Sequence, residues 1–160
     1  MKYRQFEELP VWRDAAELAR LIFEFTSLEM FRPHPGLRGQ LERATLSVSN
    51  NIAEGFERGS TKELFAFLYI SRGSAGEVRS MLRILETGKA FGDYKSQISD
   101  LISKCQTISK QLYGWIEQLK KSGISGQRHL DKQKKDALVK RNDRESVDEL
   151  RPISVKPEKT

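Results

Sequence analysis

Gln40, Arg43, Ser47, Asn50 and Glu54 recur at intervals of three, four, three and four residues, and Arg58 extends the row by another four. That spacing lays amide, guanidinium, hydroxyl and carboxylate groups along one line of one α-helix. Such a line can hydrogen-bond to a partner surface. Two readings of it stand. Glu54 and Arg58 are an i,i+4 ion pair, worth about 0.2–0.5 kcal/mol on a free helix face. Alternatively, the line is a polar network at a subunit interface, in which Asn50 and Glu54 meet groups on a neighbour. A catalytic use would need a second titrating group whose pKa is driven apart from the first, and the sequence places none beside it.

A second row carries cations. Arg72, Arg79 and Arg83 fall within about 40° of one another on a helix, and Phe65 and Tyr69 continue their line. Arginines in a row can neutralise phosphates, and neighbouring aromatic rings can stack on unpaired bases. The other reading is a solvated arginine face, paired in part with Glu77 and Glu86, with its aromatics in a subunit contact. A third basic element is the stretch from Arg128 to Arg144, which has seven Lys/Arg, among them Lys134, Lys135, Lys140 and Arg141, against three Asp. Arms of this kind meet nucleic acid or serve to solubilise.

Enzyme signatures are sparse. The two histidines, His34 and His129, have no partner at metal-ligand spacing. The one cysteine, Cys105, sits on an apolar helical stripe, where a thiol behaves as a small hydrophobe. It also excludes an internal disulfide framework. No glycine-rich phosphate loop follows a strand. No catalytic residue, metal or cofactor is expected.

The chain has 160 residues and a net charge of +6. Residues 1–121 carry 18 Lys/Arg against 15 Asp/Glu, and residues 122–160 carry 10 against 7. The C-terminal quarter thus holds half of the net charge. With no aromatic and few apolar residues, it cannot bury enough surface to offset its ordering entropy. The expected organisation is a helical domain over 1–121 and a basic, flexible tail over 122–160. No apolar run is long enough for a membrane span, and Glu7 and Glu8 stand where a signal peptide would need apolar residues. A soluble cytoplasmic protein is the expectation.

Four helices are needed to position these rows. The first is predicted from Pro10 to Thr26, with Val11, Ala15, Leu18, Ile22 and Phe25 facing the core and Trp12 anchoring its start. Pro33, Pro35 and Gly36 break the chain after it. The second runs from about Leu37 to Glu57, with Leu37, Leu41, Ala44, Val48, Ile52 and Gly55 inward, and Gly59 is expected to end it with a positive φ. Ser60 and Glu63 read as a capping box for the third, which extends to Thr87. Its stripe is Leu64, Leu68, Ser71, Ala75, Val78, Leu82 and Leu85. Phe67, Ile70 and Met81 widen that face to roughly 160°, more than one core requires, which implies a second neighbour. Gly73, in mid-helix, is expected to allow close helix approach. The fourth, from about Lys95 to Lys121, repeats three-four through Ile98, Leu101, Cys105, Ile108, Leu112, Trp115 and Leu119. Short connections make neighbours antiparallel. The fold class is an all-α, antiparallel up-down four-helix bundle.

Gln40-Leu41-Glu42-Arg43-Ala44, Ser49-Asn50-Asn51-Ile52-Ala53-Glu54-Gly55, Arg58, Phe65, Phe67-Leu68 and Gly73-Ser74 resemble the four-helix-bundle family encoded in intervening sequences of bacterial 23S rRNA genes. The resemblance covers roughly Phe6 to Lys121. A distant branch comprises the accessory variability proteins of diversity-generating retroelements. The resemblance implies a ring-shaped homopentamer, and for the retroelement branch an RNA ligand and a reverse-transcriptase partner. Many relatives have two adjacent arginines where this chain has Glu42-Arg43, so only Arg43 keeps that charge. The expected function is a non-enzymatic, basic oligomeric scaffold that binds structured or single-stranded RNA. The alternative is a protein-interaction or structural bundle with no nucleic-acid role.

Overall fold

The computed structural model describes residues 3–121, which lie within the compact unit Met1–Arg128. All the regular structure described is helical: α1 (Pro10–Thr26), α2 (Pro35–Glu57), α3 (Thr61–Thr87) and α4 (Lys95–Lys121), with short 3₁₀ segments at Phe6–Glu8, Glu29–Phe31 and Lys89–Tyr94. Each helix packs against the next, α1 closes against α4, and the most extensive contacts are α2 on α3 and α3 on α4. This is the expected four-helix bundle. The tail residues Lys134, Lys135, Lys140 and Arg141, and His129, lie outside the described residues.

The core follows the apolar periodicity. Leu18, Ile22, Phe25, Leu41, Ile52, Leu64, Leu68, Leu82, Ile98 and Ile108 are essentially inaccessible to solvent. On α4 the buried stripe passes through Leu112 and Ile116, while Trp115 and Leu119 are half-buried at its edge. The two longer connections are pinned by aromatic side chains. Phe31 meets Phe25 and Phe91 edge to face, with ring centroids 5.1 and 5.5 Å away, and Tyr94 meets Phe25 at 6.3 Å. Edge-to-face pairs of this kind contribute beyond their buried area, so one end of the bundle is closed by rings from both loops.

The helix ends depart from expectation in two places. α2 begins at Pro35, two residues early, because proline has no N–H to lose at a first-turn position and its φ is already helical. It ends through an extended Arg58 (φ −63°, ψ 129°), whose N–H donates to the Glu54 carbonyl, and Gly59 does not take a positive φ. The predicted cap of α3 is present: the Glu63 N–H donates to Ser60 Oγ at 3.3 Å, and the Ser60 hydroxyl donates to Glu63 Oε2 at 2.6 Å.

Small residues set the α2–α3 approach. Ser71 Oγ donates to the Val48 carbonyl at 2.8 Å, and Ser47 Oγ lies 2.9 Å from Ser74 Oγ. Asn51 Nδ2 donates to the Ser47 carbonyl at 2.7 Å. A Cβ on Gly55 would stand 2.7 Å from the Phe67 Cβ, so glycine is required there. The expectation for Gly73 is corrected. It is exposed, and a Cβ on it would meet nothing within 4 Å, so close approach within the subunit uses Gly55 and the serines instead.

Candidate nucleic-acid interface

The arginine row of α3 lies along its seam with α4, and α4 contributes groups that the α3 pattern alone does not reveal. The Arg72 guanidinium sits over the ring of Tyr113, 5.1 Å from its centroid. The Lys120 ammonium sits over the ring of Tyr69 at 6.0 Å. The antiparallel run of the two helices explains this crossing: Tyr69 and Arg72 are one turn apart on α3, and Tyr113 and Lys120 are two turns apart on α4. Two cation–aromatic pairs therefore alternate along one seam. Both rings remain about half exposed, Tyr69 at 47% and Tyr113 at 51%.

Further along, Arg79 is exposed, forms no ion pair among the described residues, and sits close enough to bias the Cys105 thiol electrostatically. Arg83 donates to Glu86 at 2.8 Å. Lys120 is held by Glu117 at 2.8 Å, and hydrogen bonds to Glu117 and to Tyr69 raise its pKa above the ordinary lysine value. The seam thus offers four cations against two carboxylates over about 21 Å, taking 1.5 Å per residue from position 69 to 83. Phe65 does not join it, because its ring packs half-buried against the core. Glu77 does not pair with the row either.

The polar residues of α2 are brought together as a line. Gln40, Arg43, Asn50, Glu54 and Arg58 are exposed, and Ser47 turns inward to Ser74. Glu54 accepts from Arg58 at 2.7 Å with both side chains about half exposed. Arg58 also reaches Glu63 at 3.8 Å and lies 5.4 Å over the Phe67 ring. Within one subunit this is a surface ion pair. Beside the line, Leu46 on α2 and Ile70 and Ile84 on α3 are exposed at 39%, 51% and 68%. Ile70, Gly73 and Ile84 share one face of α3 at helical spacing. Glu42, the departure from the family pattern, has a structural use. Its carboxylate accepts from Thr26 Oγ1 at 2.7 Å and from Arg38 Nε at 2.9 Å, joining the end of α1 to α2.

Cys105 is a core residue, 1% exposed, and burial pushes its thiol up to about 12. A thiol so placed is a poor nucleophile at neutral pH. His34 is exposed at the start of α2. Among the described residues, no three His, Cys, Asp or Glu side chains converge as a metal site. A groove of about 410 Å³ between the start of α1 and α4 is lined by Tyr3, Leu9, Pro10, Val11, Gln111, Trp115 and Gln118, with Tyr3 its one titratable side chain. No described helix is long and apolar enough to cross a membrane.

Fold and seam together define a small helical-bundle protein with a basic, aromatic-bearing face. The family of 23S rRNA-intervening sequence proteins matches residues 7–114, and the chain belongs to that family. No curated protein matches the chain closely enough to count as a relative.

Proposed function

We propose that this protein is a non-enzymatic, oligomeric RNA-binding scaffold whose phosphate contacts come from Arg72, Arg79 and Arg83 on α3, with Lys120 beside them and the basic tail as an added arm. The observation that carries this reading is the α3–α4 seam, where exposed cations line one face for about 21 Å with few compensating carboxylates. The family name points the same way. Arg43 supplies a further cation on α2 in this reading.

Assembly is the second part of the proposal. Ile70 and Ile84 are more than half exposed on a face that also carries the unfilled Gly73, and Asn50 and Glu54 lie exposed on the adjoining helix. An apolar face of this kind with polar groups alongside suits a subunit contact. The number five and the ring shape are implied by the family resemblance. Around a ring the seam would be repeated, and several weak contacts would add up to useful avidity. A reverse transcriptase is the partner where the gene lies in a diversity-generating retroelement. A cytoplasmic site of action follows from an RNA ligand.

Retention of RNA by the purified protein in low salt tests this reading. Retention is expected. Folded protein that retains no RNA would overturn it and leave a protein-interaction scaffold, for which the exposed Ile70 and Ile84 would be the docking face.

A further inference from the structure

We infer that Tyr69 and Tyr113 are stacking platforms for unpaired bases, so that the seam selects single-stranded RNA over duplex. This rests on the RNA-binding reading and narrows its ligand. Both tyrosines keep about half of their surface in solvent, and each has a cation over its ring: Arg72 over Tyr113 at 5.1 Å and Lys120 over Tyr69 at 6.0 Å. A ring that holds a cation has an accessible π-face, and every base also offers a π-face.

The exchange is balanced. A base that slides onto either ring displaces a guanidinium or ammonium from it. The displaced cation then lies beside the incoming strand, where the phosphate of the same nucleotide supplies the charge it needs. Arg72 has no carboxylate partner among the described residues, and its guanidinium rests on the Tyr113 ring alone there. Lys120 keeps Glu117 at 2.8 Å and is the less readily released of the two. Tyr113 is therefore the stronger platform. A-form duplex could reach the cations but not the rings, because its bases are stacked inside the helix and its readable edges lie in a shallow groove.

The test uses the full chain, a 12-nucleotide RNA of mixed sequence and the same RNA annealed to its complement. The variants are Tyr69→Leu with Tyr113→Leu, and Tyr69→Phe with Tyr113→Phe. Phenylalanine keeps the π-face and leucine removes it, and at half-exposed helix positions neither should disturb the fold, which circular dichroism checks. Wild type should bind the single strand more tightly than the duplex. The leucine pair should weaken single-strand binding at least tenfold, leave duplex binding and the salt slope unchanged, and lose less at Tyr69 than at Tyr113 when separated. The phenylalanine pair should bind the single strand as wild type does. A leucine pair that binds the single strand as tightly as wild type, or that loses duplex binding equally, overturns the inference while leaving phosphate binding by the arginines in place. Wild type that binds neither probe overturns the RNA-binding reading and the inference with it.

Discussion

Arg72 on α3 covers the ring of Tyr113 on α4, 5.1 Å above it. The contact joins a guanidinium to an aromatic face, and it places both on the same outward seam. Replacing Arg72 and Arg79 by glutamate removes two cations and adds two like charges to the phosphates. Both side chains are exposed, so helix content and melting temperature should change little. RNA affinity should fall by at least tenfold and the salt slope should shrink by about 1–2. Unchanged affinity in a binding assay would remove α3 from the interface.

Gly55 and Gly73 should respond in opposite directions to alanine. At Gly55 the new Cβ would stand 2.7 Å from the Phe67 Cβ and 3.3 Å from a Leu64 methyl, so helix α2 must back away from α3. A loss of about 1–3 kcal/mol is expected from overpacking. At Gly73 the new Cβ meets nothing within 4 Å inside the subunit, and helix propensity alone should stabilise the dissociated subunit by up to about 1 kcal/mol. Urea denaturation of both variants reads the two signs. A Gly73→Ala protein that is less stable, with a smaller native mass, would place that glycine in the subunit contact.

The assembly face is tested by Asn50→Leu with Glu54→Leu, and separately by Ile70→Glu with Ile84→Glu. All four side chains are exposed in the subunit, so each pair should leave the helices intact. Native mass should change in both if this face is a contact. Two variants with the wild-type mass would show that the subunits meet elsewhere, or do not meet.

Glu42 couples stability to pH. Partial burial raises its pKa, but the Thr26 hydroxyl and the Arg38 guanidinium outweigh this and hold the carboxyl below its ordinary value of 4.5. The folded state therefore binds this proton more weakly than the unfolded chain does. The contribution is complete above about pH 4.5 and is lost as pH falls through the depressed value. Glu42→Gln should cost about 1–2 kcal/mol at pH 7. The gap between variant and wild type should close as the denaturation series is taken below pH 4.5. A gap independent of pH would mean that the carboxylate charge is not what joins α1 to α2.

The bundle was legible because its core obeys a three-four repeat and its ends carry recognisable caps. Pro10, Ser60 and Glu63 mark helix starts by their own chemistry, and those boundaries match the structure. Pro35 stands in the sequence as a breaker, yet the same ring that breaks a helix interior begins one well. The site was half legible. The three arginines announce themselves by spacing within one helix, whereas Tyr113 and Lys120 are more than forty residues away from Tyr69 and Arg72 in the chain. Only the antiparallel register of α3 and α4 brings them together, and hydrophobic periodicity fixes which faces meet without fixing which turns do. Phe65 differs from Tyr69 for a related reason: an aromatic at the edge of a polar row can lean against the core, and Phe65 packs half-buried there. Glu42 likewise gained its meaning from Thr26, a residue on another helix.

RNA affinity of the purified 160-residue chain over a salt series, with native mass recorded in the same buffers, tests the central claim most directly. The account predicts a protein of several subunits whose binding weakens steeply and linearly in log–log form as salt rises, with a slope reflecting at least three phosphate contacts per strand. Binding that is absent at low salt, or that is insensitive to salt, would contradict the claim that the α3–α4 seam is a phosphate-contacting surface.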